Sequence, residues 1–305
     1  MTKTLAEPAV RESFAKGIDG TRLYVRERAV TTETPAGSRE VTSIFSDGIL
    51  CDGFIWKYLW DAVAARTAVA HWNYRGHGRS ALPEDPDVVD VPALAGDLDA
   101  VRRHVGDPDV VLFGHSMGCQ VALEAYRVRP QGVRGLVLLC GSNGRVTETF
   151  KGTKLLAQVL PKILDKVLAA PELARAIWTR IPPEIALKMA LFTGEIDEKT
   201  IRPEDVLPYL EHLRHIDFSM FLRMLKAAGE HSAEDVMPRI ACPVLVVAGE
   251  RDTFTPPFLA EEMARRIPRG ELFVVPGGTH VAPLEQRDLV NARIDAFLRD
   301  RVLAT

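Results

Sequence analysis

The sequence lacks the paired cysteines that bind zinc or form a dense set of disulfides. Its four cysteines, Cys51, Cys119, Cys140 and Cys242, stand singly, and no Cys-x-x-Cys string occurs. Scattered cysteines are typical of reduced thiols. We therefore expect no disulfide framework and no structural zinc, and the sequence favours a cytoplasmic protein.

The chain also lacks an excess of charge and a long hydrophobic run. The chain has 38 Lys and Arg residues and 41 Asp and Glu residues, which gives a formal net charge of -3. This balance predicts no nucleic-acid partner. No apolar run approaches the roughly 20 residues that cross a bilayer. Residues 1–17 have no apolar core of a signal peptide. We expect no integral membrane association, and the pattern leaves the oligomeric state open.

What the chain does contain is a regular alternation of short apolar segments and amphipathic ones. Strands that are apolar throughout and alternate with amphipathic helices indicate a parallel sheet covered on both faces. The predicted strands are 22–29, 41–46, 67–73, 109–114, 135–140, 242–249 and 271–278. The predicted helices are 53–65, 91–105, 117–129, 256–267 and 289–302.

This alternation stops after Cys140 and resumes at residue 242. The intervening residues contain helical stretches broken by prolines and no convincing strand. Because one strand–helix rhythm continues on both sides, an inserted cap is favoured over a separate helical domain. We predict a core of residues 1–143 and 236–305, with a helical cap over 144–235.

Gly114-His115-Ser116-Met117-Gly118 lies where a predicted strand meets a predicted helix. A Gly-x-Ser-x-Gly string in that position is typical of a nucleophile elbow. Gly114 and Gly118 allow the turn and the helix to approach closely, and Ser116 is held in a strained conformation at the helix N-terminus. Ser116 is therefore the candidate nucleophile.

A serine hydroxyl needs a base to remove its proton and an acid to orient that base. His280 follows one predicted strand, and Asp252 follows the strand before it, so both should lie at the same sheet edge as Ser116. Their chain order, Ser then Asp then His, is the order expected for this architecture. Glu250 lies closer to its strand than Asp252, and we assign it a structural role.

An oxyanion requires hydrogen-bond donors that are in place before the charge forms. The backbone N–H of Met117, directly after the candidate nucleophile, is the first expected donor. The backbone N–H of Ile49, after Gly48, is the second. Gly53 also permits a different register for this loop, so the second donor stays open here.

With these motifs, the chain resembles the α/β-hydrolase-fold serine hydrolases of the capped esterase and lipase type. The segment "NYRGHGRS" (73–80) resembles the family's D-x-R-G-x-G-x-S turn, and "GERD" and "GGTH" match its acid and base loops. The resemblance covers about residues 20–143 and 236–302. It implies an α/β-hydrolase fold with a mostly parallel central sheet flanked by helices and an inserted helical cap.

Two residues depart from the family's pattern. Asp47 stands where many members have a histidine, and Asn73 replaces the usual aspartate. An aspartate beside an oxyanion hole opposes catalysis unless it points away or is hydrogen-bonded. The serine at position 116 also excludes the dehalogenases and epoxide hydrolases of this fold, which use an aspartate nucleophile.

The sequence predicts a cofactor-free serine hydrolase that cleaves carboxylic esters through an acyl-enzyme. Its apolar cap, with Met220, Phe221 and Met224, favours a small to medium hydrophobic ester as substrate. The same triad also serves carbon–carbon bond hydrolases, thioesterases and perhydrolases, and some proteins of this fold are ligand receptors with little turnover. His212 and His215 share one helix face, but without a convincing third ligand we predict no metal site.

Overall fold

A computed structural model describes residues 8–31, 40–149, 153–180, 182–192 and 196–304 of the chain. Within these ranges, eight strands form one sheet, in the order β1-β2-β4-β3-β5-β6-β7-β8. The strands are β1 (Arg11–Lys16), β2 (Arg22–Arg28), β3 (Val41–Ser46), β4 (Ala68–Trp72), β5 (Asp109–His115), β6 (Val133–Leu139), β7 (Val244–Gly249) and β8 (Gly270–Val275).

The sheet is parallel from β4 to β8, while β2 pairs antiparallel with both β1 and β4. The side chains of β5, β6 and β7 are buried almost without interruption. Buried central strands of a parallel sheet are apolar on both faces because helices cover both sides. The predicted mostly parallel α/β architecture is confirmed.

Strand β1 was not predicted from the sequence. Its residues are mostly exposed, and it pairs on one side only, with β2. An exposed edge strand lacks the apolar run that marks a central strand, so its sequence carries no clear pattern.

Helices flank the sheet on both faces and enclose two apolar clusters. These helices are α1 (Leu59–Ala64), α2 (Val91–His104), α3 (Met117–Val128), α10 (Pro257–Arg266), α11 (Ala282–Glu285) and α12 (Arg287–Phe297). One cluster contains buried residues of α2, α3 and α10, and the other contains residues of α1 and α12. Single-turn 3-10 helices span Phe54–Trp56 and Met237–Arg239, and a π-helical turn spans Leu298–Val302.

Within the described residues, six further α-helices lie between β6 and β7. Where the chain enters and leaves this segment, Gly144 and Ser232 form a β-bridge. No helix in the described ranges is long and apolar enough to cross a bilayer. The six helices are α4 (Val146–Thr149), α5 (Leu155–Ala169), α6 (Pro171–Trp178), α7 (Pro183–Phe192), α8 (Pro203–Leu213) and α9 (Phe218–Glu230).

Candidate active site

The strand register brings the loops that follow β3, β5, β7 and β8 to one edge of the sheet. The last residue of β3, Ser46, pairs with Gly114 of β5. On the other side of β5, His115 pairs with Leu139 at the end of β6. At the ends of β7 and β8, Gly249 pairs with Val275. Residues that immediately follow these strand ends therefore share the edge where parallel α/β sheets bind ligands.

Ser116 occupies a strained turn between β5 and α3. Its backbone has φ 54° and ψ -119°, in a region that non-glycine residues rarely adopt. A Cβ on Gly118 would lie 2.2 Å from the carbonyl oxygen of Ser46, and one on Gly114 would lie 2.3 Å from the carbonyl oxygen of Gly118. No larger residue fits at either position without moving backbone, so the two glycines permit the turn that presents Ser116 at the helix N-terminus.

The carboxylate of Asp252 is hydrogen-bonded to the ring of His280. Its Oδ2 lies 2.9 Å from Nδ1 of His280 and also accepts the hydroxyl of Thr255 at 2.8 Å. Its Oδ1 accepts the backbone N–H groups of Phe254 and Thr255, both at 2.9 Å. Asp252 is buried. Four donors suit an ionised carboxylate, and a proton on Nδ1 leaves Nε2 of the neutral ring as an acceptor.

Glu250 has a different environment from Asp252. Its side chain is exposed, and Oε2 accepts the backbone N–H of Gly277 at 2.7 Å. This contact joins the acid loop to the turn that precedes His280. The structural interpretation of Glu250 fits this position.

His115, directly before Ser116, links the serine turn to the base loop. Its Nε2–H donates to the carbonyl oxygen of His280 at 3.0 Å, and the two rings lie 5.0 Å apart between centroids. Burial, reinforced by the nearby ring of His280, lowers the pKa of His115 to about 4. A neutral imidazole thus ties Ser116 to the backbone of His280, a link that the sequence did not indicate.

Glu285 is a second residue that sequence reasoning missed. Its carboxylate accepts the N–H and the hydroxyl of Thr279, both at 2.8 Å, and the N–H of Asp197 at 2.8 Å. Burial raises the pKa of Glu285, while these hydrogen bonds oppose the shift. Because Thr279 directly precedes His280, Glu285 anchors the base loop and connects it to the segment between α7 and α8.

The loop after β3 lies against Ser116. A Cβ on Gly48 would lie 3.1 Å from the Cβ of Ser116. The amide of Leu50 donates to Nε2 of His77 at 3.2 Å, and the amide of Cys51 donates to the carbonyl oxygen of Gly48 at 3.3 Å. These two amides are therefore engaged, which favours Ile49 as the second candidate donor.

The backbone amides of Ile49 and Met117 are the two candidate oxyanion donors. Within the described ranges, neither makes a hydrogen bond to protein. Gly53, the residue of the alternative register, packs instead on His71, where a Cβ would lie 2.7 Å from Cε1 of that ring. The pairing of Ile49 with Met117 stays a prediction.

Asp47 is hydrogen-bonded by buried donors. Its Oδ1 accepts the indole N–H of Trp56 at 2.6 Å, and its Oδ2 lies 2.8 Å from Nε2 of His71. The side chains of Asp47 and His71 are almost fully inaccessible. A buried carboxylate bound to two N–H donors meets the condition under which an aspartate here is tolerated.

Asn73 has a local structural contact. Its Oδ1 accepts the backbone N–H of Arg79 at 3.1 Å, and its carbonyl oxygen accepts the hydroxyl of Ser80 at 2.7 Å. The residue that replaces the family's aspartate thus closes the turn of segment 73–80. An amide oxygen suffices as the acceptor for this contact.

The histidines of α8 and the turn after it do not converge on a common point. Nδ1 of His212 lies 3.8 Å from Oδ2 of Asp52, and Nε2 of His215 lies 3.7 Å from Oε1 of Glu211. Asp217 caps α9 by accepting the N–H of Met220 at 2.8 Å. In the part of the chain that the structure describes, no group of three or more potential ligands could hold a metal ion.

Comparison with known proteins identifies the family. A model described as the alpha/beta hydrolase family matches residues 48–293. The chain belongs to this family. It is 30% identical, over 244 residues, to the pimeloyl-(acyl-carrier protein) methyl ester esterase of Methylococcus capsulatus, covering 76% of this chain and 84% of that protein.

Solved structures of this fold resemble the chain along most of its length. An esterase from Thermogutta terrifontis has a TM-score of 0.71 and 23% identity, covering 95% of this chain and 98% of the esterase. A bromoperoxidase from Bacillus anthracis has a TM-score of 0.73 and 15% identity, covering 95% and 100%. The comparisons support a hydrolase of this family. The names range from esterase to bromoperoxidase, so they do not decide the substrate.

Proposed function

We propose that the protein is a serine hydrolase that cleaves carboxylic esters through an acyl-enzyme. The observation that carries the proposal is the strained backbone of Ser116 beside the bonded pair Asp252–His280 at one sheet edge. Two unengaged amides, those of Met117 and Ile49, flank the serine turn. A nucleophile, a base, an oriented acid and oxyanion donors together constitute the requirements of acyl transfer.

In this mechanism, Ser116 Oγ attacks the ester carbonyl while Nε2 of His280 takes its proton. Asp252 holds the Nδ1–H tautomer and stabilises the imidazolium that forms. The amides of Met117 and Ile49 bind the developing oxyanion. His280 then protonates the departing alcohol, and a water molecule, activated by the same ring, releases the carboxylic acid.

The helices between β6 and β7 act as a cap in this proposal and favour a hydrophobic substrate. Met220 and Met224 of α9 are buried in the apolar cluster that also contains Met117, and Phe221 packs against that cluster. Helix α8 packs on the 3-10 helix Phe54–Trp56, where Tyr209 stacks on Phe54 with 4.2 Å between ring centroids. An apolar cover of this kind suits a small to medium acyl group.

The proposal is tested with a fluorophosphonate probe and a substrate panel on the purified chain. The wild type should be labelled, turn over p-nitrophenyl esters many times, and lose both properties in Ser116→Ala. The panel adds acyl thioesters, a vinylogous diketone and a peroxide assay with a carboxylic acid. A matched control is Ser13→Ala, which removes a hydroxyl that forms an exposed hydrogen bond with His104.

The panel separates this proposal from the other activities of such a triad. A preference for thioester, diketone or peroxide chemistry over esters would contradict ester cleavage and leave the nucleophile in place. Labelling without multiple turnover would indicate a receptor. Undiminished labelling in Ser116→Ala would mean that Ser116 is not the nucleophile.

A further inference from the structure

The loop that carries Ile49 is tied to segment 73–80 at two points. The hydroxyl of Tyr74 donates to the carbonyl oxygen of Asp47 at 2.6 Å. The N–H of Leu50 donates to Nε2 of His77 at 3.2 Å. The two hydrogen bonds flank Gly48 and Ile49, so they fix both ends of the peptide whose amide is the second candidate oxyanion donor.

This loop needs external support because part of its backbone is strained. Leu50 has φ 67°, in the left-handed region that a leucine rarely adopts. Residues held in such conformations persist only where the surrounding structure determines them. The hydrogen bond from the Leu50 amide to His77 acts at the strained residue itself.

His77 is arranged as an acceptor. Its Nδ1–H donates to the carbonyl oxygen of Arg75 at 3.0 Å, which leaves Nε2 without a proton. The side chain is fully buried, and this burial lowers the pKa of His77 to about 4. Two nearby groups act in opposite directions on that pKa, since His212 of α8 lowers it and Asp47 raises it. The ring is therefore neutral at pH 7.

Tyr74 and the turn around His77 are buried and closely packed. Tyr74 is fully buried, and its ring packs edge-on against Trp72 at 4.9 Å and His77 at 6.0 Å between centroids. Burial raises the pKa of Tyr74 well above its ordinary value, so the hydroxyl keeps its proton. Met220 of α9 covers the turn, because the sulfur of Met220 would lie 2.3 Å from a Cβ placed on Gly76.

We infer that Tyr74 and His77 are positioning residues, which hold the loop Asp47–Leu50 so that the Ile49 amide points at the oxyanion. The inference rests on the proposed function. Neither residue touches the reacting atoms; each acts through the backbone of the loop. The motif in segment 73–80 thereby has a role in transition-state stabilisation, in addition to closing its own turn.

The test compares three substitutions. His77→Gln keeps an acceptor near the position of Nε2, His77→Leu removes it at similar volume, and Tyr74→Phe removes the other hydrogen bond. Tyr126→Phe is the matched control, because its buried hydroxyl accepts the N–H of Ala241 in another part of the core. Hydrolysis of p-nitrophenyl butyrate and hydrogen exchange of peptides that cover residues 48–53 are measured for each variant.

His77→Leu should lower kcat by about 10- to 100-fold with KM changed less than about threefold, since a misplaced donor weakens binding of the transition state alone. His77→Gln should restore most of kcat. Tyr74→Phe should lower kcat, whereas Tyr126→Phe should not. Exchange in residues 48–53 should accelerate in His77→Leu and return toward the wild-type rate in His77→Gln.

Two results would overturn the inference. One is an active wild type whose kcat falls less than about threefold in both His77→Leu and Tyr74→Phe. The other is unchanged exchange of residues 48–53 in His77→Leu. The exchange measurement needs no turnover, so it decides whether the loop is held by His77 even if the wild type hydrolyses no ester and the proposed function fails.

Discussion

Asp252 and His280 are joined by a 2.9 Å hydrogen bond across 28 residues of sequence. The carboxylate is buried, and three further donors from Phe254 and Thr255 hold it in place. Its orientation therefore does not depend on the histidine. A fixed, ionised acceptor at Nδ1 is what selects one tautomer of the ring.

The first prediction concerns this pair. Asp252→Asn should lower kcat by a factor on the order of 10⁴, because an amide stabilises neither the productive tautomer nor the imidazolium. Glu250→Gln is the matched control and should lower kcat by less than about tenfold, since the amide oxygen of the glutamine can still accept the N–H of Gly277. Steady-state kinetics on an ester substrate measure both. A loss of tenfold or less in Asp252→Asn would mean that the acid is wrongly assigned.

The second prediction concerns the stability of the base loop. Glu285→Ala should lower the free energy of unfolding by about 2–3 kcal/mol, because it leaves the buried donors of Thr279 without an acceptor. Glu285→Gln keeps one carbonyl oxygen as an acceptor, so its free energy of unfolding should fall by less than that of Glu285→Ala. Urea denaturation followed by circular dichroism measures the difference. Equal midpoints for wild type and Glu285→Ala would rule out this anchoring role.

The third prediction is a pH dependence of stability that originates in His77. Burial lowers its pKa from 6.5 to about 4 in the folded chain, so between these values the unfolded state binds the proton and the folded state does not. The free energy of unfolding should therefore fall as the pH is lowered from 6.5 to 4, and this contribution is fully present above pH 6.5.

A variant with no titratable side chain at position 77 isolates this effect. Urea midpoints of wild type and His77→Gln are compared at pH 7, 5.5 and 4.5. The wild type should lose stability relative to the variant at each lower pH, since glutamine binds no proton. Parallel pH curves would show that His77 titrates alike in the folded and unfolded states.

The fourth prediction concerns the acyl group. If the side of α9 with Met220, Phe221 and Met224 covers an apolar acyl site, kcat/KM for p-nitrophenyl esters should rise from acetyl to a mid-length chain. Each buried CH₂ contributes about 0.8 kcal/mol, which is roughly fourfold in kcat/KM where the pocket accepts it. A steady fall from acetyl to octanoyl would contradict the apolar pocket.

Some parts of this site were predictable and others were not, for reasons seen in particular residues. Gly114 and Gly118 could be placed because the string around Ser116 falls at a strand–helix junction. The positions of Asp252 and His280 followed from the strand ends before them. The bond from His115 to His280, which spans 165 residues, left no local pattern. The same is true of Glu285, whose partners Thr279 and Asp197 become visible only in three dimensions.

The amino-acid sequence by itself determined the order of strands and helices, the buried central strands, and the sheet edge that carries the chemical groups, because apolar periodicity and glycine placement are local properties. Tertiary structure alone decided which polar atoms meet. It paired the carboxylate of Asp47 with Trp56 and His71, and it engaged the Leu50 amide with His77. Hydrogen bonds depend on distances of tenths of an ångström between remote segments, and only the packed fold sets those distances.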